Sequence, residues 1–160
     1  MDFDAIRRRL EPVTRRVLHF YWRFSRGVTL GVRAVVIDHS GKVFLVMHSY
    51  VSGWHLPGGG VEIGETAAAA LARELREEGN IELVEPATLF GVYFNRRISR
   101  RDHVALYVVR TFRQDAPPQP NHEIIAHGFF APDALPAETT RATRERLAEV
   151  LNGRPPAQLW

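Results

Sequence analysis

Three glutamates, Glu74, Glu77 and Glu78, lie close together in the stretch 58–81, which reads GGGVEIGETAAAALARELREEGNI. Its alanines and leucines predict a helix. At about 100° per residue the acids follow directly after the apolar arc of Leu71 and Leu75, so they border the buried face. Like charges in this arrangement repel one another, and a divalent cation offsets the repulsion because Mg²⁺ and Mn²⁺ prefer carboxylate oxygens. Taken alone, the three acids also fit a solvated acidic face.

A run of three glycines, Gly58, Gly59 and Gly60, precedes the acids. Glycine adopts backbone conformations that other residues avoid, and its N–H groups can approach a phosphate closely. Three glycines by themselves indicate only a tight turn. Followed by an acidic helix, they favour a loop that approaches a phosphate beside a metal site.

The order of these residues resembles the Nudix box, the signature of hydrolases of nucleoside diphosphates linked to another group. Counting from Gly59, five residues precede Glu65 and seven more precede Arg73. The acids Glu74, Glu77 and Glu78 then follow in the family's order. Fixed glycine, acid and arginine positions at set distances make this match specific.

One position departs from the family pattern, because Asn80 stands where the family usually has glycine. Asparagine tolerates the left-handed conformation that ends a helix, so we expect the helix to stop there. We expect Thr66 to cap its start. The resemblance implies an α+β fold, an α/β/α sandwich in which a mixed β-sheet lies between helices.

The resemblance also implies roles for individual residues. Glu65 and Arg73 pair to brace the loop on the helix. In the family the general base is either a box glutamate or a glutamate in a later loop. The later candidate here is Glu123, for which an ordinary exposed loop acid is an equal alternative, and Glu62 is a weaker extra ligand. The metal ligands implied by the resemblance are Glu74, Glu77, Glu78 and Gly59.

Metal chemistry suggests the mechanism. Mg²⁺ or Mn²⁺ on these carboxylates neutralises the diphosphate and lowers the pKa of a bound water. That water attacks one phosphorus in line while the other phosphate leaves. We therefore expect a pyrophosphohydrolase acting on a small nucleotide, either a nucleoside triphosphate or a nucleoside diphosphate sugar such as ADP-ribose. The alternatives are a nucleotide-sensing module without catalysis and an RNA 5′-end pyrophosphohydrolase.

Substrate recognition must come from outside the box. Aromatic side chains are candidates to stack a base, although each is more often a packing residue, and arginines are candidates to meet a phosphate or ribose. His48 and His55 flank the loop before the glycines and are more typical of hydrogen bonding than of metal ligation here. The recognition candidates are Tyr50, Trp54, Tyr93, Phe94, Arg33, Arg96 and Arg97.

The length of 160 residues predicts one domain, which we place at residues 27–152, with an N-terminal extension at 1–26 and a poorly ordered tail at 153–160. The absence of cysteine excludes disulfides and thiol catalysis and fits a reducing cytoplasm. No apolar run is long enough to span a membrane. The N-terminus carries Asp2 and Asp4 and lacks the apolar core of a signal sequence, so we expect a cytoplasmic protein.

Residues 3–24 predict an amphipathic helix that Pro12 kinks or divides. Its apolar stripe packs on the domain or on a second subunit, which makes a homodimer possible. The arginines on its other face also suit a membrane surface or a nucleic acid.

The remaining elements are mostly strands. Val28 to Ile37, the turn at 38–41 and Val43 to Met47 predict a hairpin. Residues 81–94 and 103–113 predict two long strands around a polar turn with four arginines. A short strand at 124–130 and a closing helix at 139–151, with Thr140 as its cap, complete the chain.

Overall fold

The computed structural model describes Tyr21 and residues 27–119 and 122–160. Apart from the helical Tyr21, the predicted N-terminal helix lies outside the described residues. The elements are strands β1 (Thr29–Val36), β2 (Val43–His48) and β3 (Trp54–His55), helix α1 (Ala67–Gly79), strands β4 (Glu82–Leu83), β5 (Thr88–Phe94), β6 (Asp102–Val109), β7 (Phe112–Arg113) and β8 (Ile124–Phe130), and helix α2 (Arg141–Leu151).

The principal sheet has the strand order β1-β6-β5. Strand β1 pairs with β6 in parallel, and Gly31 lies opposite Val104. Strand β5 pairs with β6 in antiparallel fashion across the predicted polar turn, and Tyr93 lies opposite Val104. The consecutive buried apolar residues of β1 suit a parallel strand that is covered on both faces.

The predicted hairpin between β1 and β2 is wrong. The turn itself forms, and the Asp38 carboxylate accepts hydrogen bonds from the backbone N–H groups of Ser40 and Lys42. After one bridge between Ile37 and Val43, however, β2 leaves β1 and pairs with β3 and β8 in a second sheet. Apolar, β-branched runs identify strands but carry no information about their partners.

The two predicted long strands are each divided. Residues 81–94 form β4 and β5, separated by a segment that contains Pro86, and residues 103–113 form β6 and β7. Strands β4 and β7 pair in a small sheet of their own. Proline cannot donate to a strand ladder, which explains the first break.

Two hydrophobic cores lie on opposite faces of the strand layer. The first contains Val32 of β1 together with Leu71 and Leu75 of α1. The second contains Leu106 of β6 together with Leu147 of α2. Strands between two helices form the predicted α/β/α sandwich, so the fold class is confirmed. None of the helices in the described part of the chain is long and apolar enough to cross a membrane.

Both helices begin and end where the sequence predicts. The hydroxyl of Thr66 accepts a hydrogen bond from the N–H of Ala69, and Thr140 caps α2 in the same way. Asn80 ends α1 in the left-handed conformation, with φ 49° and ψ 38°. Its side chain also donates to the carbonyl of Ala116 at 2.9 Å, so Asn80 ties the helix end to a later loop.

The expectation of a poorly ordered tail is wrong for its last residues. The Trp160 N–H donates to the Phe94 carbonyl, and the Phe94 N–H donates to Gln158. The Trp160 ring also meets the Tyr93 ring edge-on at 5.4 Å. The tail is therefore held along the edge of β5, where the backbone of Phe94 would otherwise lack partners.

Candidate active site

The glycine loop runs along β1 as an added strand. The Val32 N–H donates to the Gly59 carbonyl at 2.8 Å, and Gly31 forms an antiparallel bridge with Gly60. Gly58 has φ +134°, and a Cβ there would lie 2.1 Å from the Val32 carbonyl oxygen. The loop can therefore follow β1 this closely only with glycine at position 58.

Arg73 joins the loop to helix α1. Its Nε lies 3.1 Å from Glu65 Oε1, its Nη1 lies 2.7 Å from Glu74 Oε1, and its Nη2 donates to the Gly60 carbonyl at 3.1 Å. A longer contact of 3.4 Å reaches Glu77. The hydrogen bonds from Arg73 lower the pKa of Glu65. One guanidinium thus holds the loop and two helix acids in a fixed arrangement.

The three helix acids differ in their surroundings. Glu78 is 7% exposed, and its Oε2 accepts a hydrogen bond from the Gly58 N–H at 2.7 Å. The side chain of Glu74 is mostly buried against Gly59, while that of Glu77 is 60% exposed. Burial raises the pKa of Glu78 to about 7, although the nearby Arg33 and the Gly58 hydrogen bond oppose the shift.

His48 adjoins the most buried acid. Its Nε2 lies 3.5 Å from Glu78 Oε1, which is longer than a hydrogen bond, and neither ring nitrogen has a hydrogen-bond partner among the described residues. Burial lowers the pKa of His48 to about 4. The rings of Tyr50 and His55 lie 5.1 and 5.9 Å from it. This histidine is therefore a neutral side chain at neutral pH.

A cavity of about 1080 Å³ brings these residues together. The acids and the glycine loop form one end, and the turn between β5 and β6 forms the other. Glu123 lines the same cavity, and its carbonyl accepts a hydrogen bond from the Ser49 N–H at 2.8 Å. Glu62 is exposed, it meets Glu65 through its backbone N–H and carbonyl, and it does not line the cavity.

The structure separates the recognition candidates. Tyr50, Arg33 and Arg97 line the cavity. Tyr93 is fully buried and donates to Glu149, so its ring cannot stack on a substrate. The remaining three lie outside the cavity wall: Trp54 packs on Phe130, Phe94 packs on His103, and Arg96 lines a neighbouring groove.

Asn95, Asp102 and Trp160 are among the cavity-wall side chains that sequence reasoning missed. Asn95 donates to Asp102 at 2.8 Å and closes the turn between β5 and β6. Trp160 comes from the tail, whose two prolines suggested a loose end. No local pattern signals that the tail returns to the site, because the contact depends on the edge of β5.

The donor set suits a hard divalent cation. Oxygen atoms of Glu74 and Glu78 flank the Gly59 segment, where a Cβ would lie 2.4 Å from Glu74 Oε1. Across the part of the chain that the structure describes, no three His, Cys, Asp or Glu side chains form a ready-made metal cage. Mg²⁺ needs no such cage, since it is usually held by one or two carboxylates, waters and substrate phosphates.

The fold and the acid-lined cavity define a class of phosphoanhydride hydrolases, and comparison with known proteins agrees. Residues 27–151 match the NUDIX domain family model. The chain is 31% identical over 128 residues to the MutT-like protein of Streptomyces ambofaciens, covering 80% of each chain. It is 36% identical over 73 residues to the human 8-oxo-dGDP phosphatase, covering 44% of this chain and 22% of the relative.

Among solved structures, the MutT NUDIX hydrolase of Burkholderia pseudomallei is similar, with a TM-score of 0.64 and 30% identity over 76% of this chain and 97% of the other. The chain belongs to the Nudix family. It is a hydrolase of nucleotide anhydrides, in a family whose members generally use divalent metals.

Proposed function

We propose that the protein hydrolyses the diphosphate of a small nucleotide, either a nucleoside triphosphate or a nucleoside diphosphate linked to another group, such as ADP-ribose. The observation that carries this proposal is the meeting of Glu78 and the glycine loop, where the buried carboxylate accepts the Gly58 N–H. This hydrogen bond holds the Glu78 carboxylate beside the loop that would receive the diphosphate.

The carboxylates of Glu74, Glu77 and Glu78, with the Gly59 carbonyl, would hold Mg²⁺ or Mn²⁺. The Gly59 carbonyl already accepts the Val32 N–H and keeps its second lone pair for an ion. When bound, the ion supplies charge neutralisation for the diphosphate and acidifies water. Two acids of this cavity are the candidate bases, Glu78 and Glu123.

The two candidate bases differ in their partners. Glu78 is held by Gly58 and has a pKa raised to about 7, which suits a group that exchanges a proton near neutral pH. Glu123 lines the same cavity next to the strand that carries His48, because its carbonyl accepts the Ser49 N–H. We assign proton removal to one of these two acids. If Glu123 is the base, Glu78 remains a metal ligand together with Glu74 and Glu77.

Recognition of the nucleoside falls to the opposite end of the cavity. Trp160 and Arg97 lie there, and an indole ring with a guanidinium suits a base and an anionic group. The human relative is named for an oxidised guanine nucleotide, which supports a small nucleotide as the substrate of this chain.

Two other functions are proposed with less support. A sensor that binds without hydrolysis would have no use for three acids around the glycine loop. An RNA 5′-end pyrophosphohydrolase is favoured by one observation, the exposed Arg96, Arg97 and Arg100 in the turn beside the cavity. Binding of RNA would weaken steeply with salt, because phosphate contacts release counterions.

A substrate panel tests the proposal. Nucleoside triphosphates, ADP-ribose and a 5′-triphosphorylated RNA are incubated with Mg²⁺ or Mn²⁺, and the released mononucleotide, phosphate or pyrophosphate is identified. We expect cleavage within a diphosphate of a small nucleotide, which a chelator abolishes. Binding of all of these compounds without cleavage of any would establish the sensor instead.

A further inference from the structure

A second concave surface, which we call the arginine groove, lies between the turn of β5 and β6, helix α2 and the tail. Its volume is about 620 Å³. The acids of this groove are already engaged, because Arg141 pairs with Glu145 at 2.7 Å and Arg146 pairs with Glu149 at 2.6 Å. The charged residues that line it are Arg96, Arg97, Arg141, Arg146, Arg154, Glu145 and Glu149.

Three arginines of the groove, Arg96, Arg97 and Arg154, form no ion pair among the described residues. They face one cavity from two different segments, the turn and the tail. The five arginines that line the groove outnumber its two glutamates, so the guanidinium groups repel one another on balance, and an anion relieves that repulsion. The groove therefore has the charge of an anion site.

Buried Arg146 makes the floor of the groove rigid. It is 2% exposed, its Nη1 donates to the Leu159 carbonyl at 3.0 Å, and its guanidinium lies 4.5 Å from the centre of the Tyr93 ring. Its Nε has no hydrogen-bond partner among the described residues. A buried donor without a partner costs free energy, which a ligand oxygen or a water in the groove would recover.

The groove adjoins the catalytic cavity, because Arg97 and Trp160 line both. The strand register gives the distance between the two ends. Gly60 pairs with Gly31, Gly31 with Val104, Val104 with Tyr93, and the strand of Tyr93 with the tail. These four steps between neighbouring strands, at about 4.8 Å each, separate the glycine loop from the tail by roughly 19 Å. A ligand in the groove would lie at the end of the site farthest from the helix acids.

We propose that the arginine groove binds a phosphate group carried by the far end of the substrate, beyond the diphosphate that the enzyme cleaves. The proposal rests on the proposed function, since it extends the same substrate. Arginine recognises a phosphate monoester through paired N–H donors, and the groove volume of about 620 Å³ has room for a phosphate together with part of the group that carries it. The substrate class is thus a nucleoside diphosphate derivative with an additional phosphate on its distal side.

Equilibrium binding of inorganic pyrophosphate to the metal-free full chain tests the groove without any turnover. The double variant Arg96→Gln, Arg154→Gln removes two groove charges outside the catalytic cavity. The matched control Arg110→Gln, Arg113→Gln removes the same charge from exposed positions elsewhere. At constant ionic strength we expect the Kd for pyrophosphate, measured by calorimetry, to rise at least about tenfold in the groove variant and less than about twofold in the control.

Two results of the binding experiment would overturn the proposal that the arginine groove is an anion site. One is no binding by the parent at millimolar pyrophosphate. The other is an equal loss of affinity in both double variants, which would mean that net charge alone attracts the anion. Because neither result depends on hydrolysis, they are distinct from a failure of the proposed reaction.

A second arm identifies the source of the phosphate. With Mg²⁺, kcat/KM is compared for ADP-ribose and for ADP-ribose 2′-phosphate. We expect the parent to prefer the phosphorylated compound about tenfold, and the groove variant to lose the preference while it retains the parent rate on ADP-ribose. An effect of free pyrophosphate on ADP-ribose turnover at fixed free Mg²⁺, lost in the groove variant and without preference for the phosphorylated compound, would assign the groove to a separate effector and overturn the proposal. The proposal would also be overturned, in favour of RNA, if a 5′-triphosphorylated RNA bound more tightly than ADP-ribose 2′-phosphate and lost as much affinity in the groove variant.

Discussion

The Gly58 N–H donates to the buried carboxylate of Glu78 at 2.7 Å, and this contact fixes the glycine loop to the acidic helix. The loop follows β1 on its other side. A backbone group, a carboxylate and a strand are thereby held in one arrangement before any ligand binds.

The three loop glycines should respond differently to alanine. Gly58→Ala would set a Cβ 2.1 Å from the Val32 carbonyl oxygen, so we expect a loss of at least about 2 kcal/mol in the free energy of unfolding. Gly59→Ala would meet the Glu74 carboxylate at 2.4 Å, so activity should fall more than stability. Gly60→Ala is the control for stability, because nothing lies within 4 Å of its Cβ position. Urea unfolding and turnover are measured for all three, and equal effects would contradict the loop geometry.

Arg73 should not tolerate replacement by lysine. Lysine keeps the charge but cannot contact Glu65, Glu74 and the Gly60 carbonyl together, so we expect kcat/KM to fall about tenfold or more. Arg76→Lys is the matched control, since Arg76 is exposed on the same helix. Unchanged kcat/KM in Arg73→Lys would show that the brace is only a surface ion pair.

Much of this arrangement is encoded locally and was therefore predictable. The caps at Thr66, Asn80 and Thr140 follow from side-chain and backbone preferences within a few residues. The alternation and β-branching of residues 29–36 and 102–109 identify strands in the same way. The helical spacing of the acids likewise places Glu78 at the border of the buried face.

The parts that were not predictable depend on contacts between distant segments. Pairing of β1 with β6 instead of β2 is decided by the packing of the whole strand layer, and a short turn does not reveal it. The return of Trp160 to the cavity requires the open edge of β5 and buried Arg146. The sequence showed His48 only as a histidine beside the loop before the glycines. Its burial against Glu78 depends on the folded structure.

Glu78 and His48 should oppose one another in the pH dependence of stability. The pKa of Glu78 rises from 4.5 to about 7, so the folded state holds the extra proton between these values and stability falls as pH rises. The pKa of His48 falls from 6.5 to about 4, so the unfolded state holds the extra proton and stability increases with pH. In the metal-free parent the two slopes should cancel between pH 4.5 and 6.5.

Substitution of Glu78 or His48 should leave only the other residue's contribution to the pH dependence of stability. Relative to the parent, Glu78→Gln should gain up to about 1.4 kcal/mol per pH unit as pH rises from 4.5 to 7. His48→Gln should lose a similar amount per unit between pH 4 and 6.5. Urea unfolding with a chelator present measures both. Parallel curves for parent and variants would show that these two groups do not titrate as described.

Trp160 should contribute to substrate binding. It lines the cavity end opposite the acids, so Trp160→Ala should raise KM about three- to tenfold with a smaller change in kcat, as expected for the loss of an aromatic stacking partner. Trp160→Phe keeps a ring and should recover most of the affinity. If KM is the same for the alanine variant and the parent, the nucleobase of the substrate does not lie at the Trp160 end of the cavity.

The central claim is that buried Glu78, beside the glycine loop, takes part in metal-dependent hydrolysis. Its most direct test is kcat/KM for Glu78→Gln with Mg²⁺ on the best small nucleotide of the panel, with Glu82→Gln, an exposed acid of β4, as the matched control. Glutamine keeps the size and can still accept the Gly58 N–H, so the fold should survive. We predict a loss of at least about 10²-fold for Glu78→Gln and little change for the control. A folded Glu78→Gln variant that hydrolyses as fast as the parent would contradict the account.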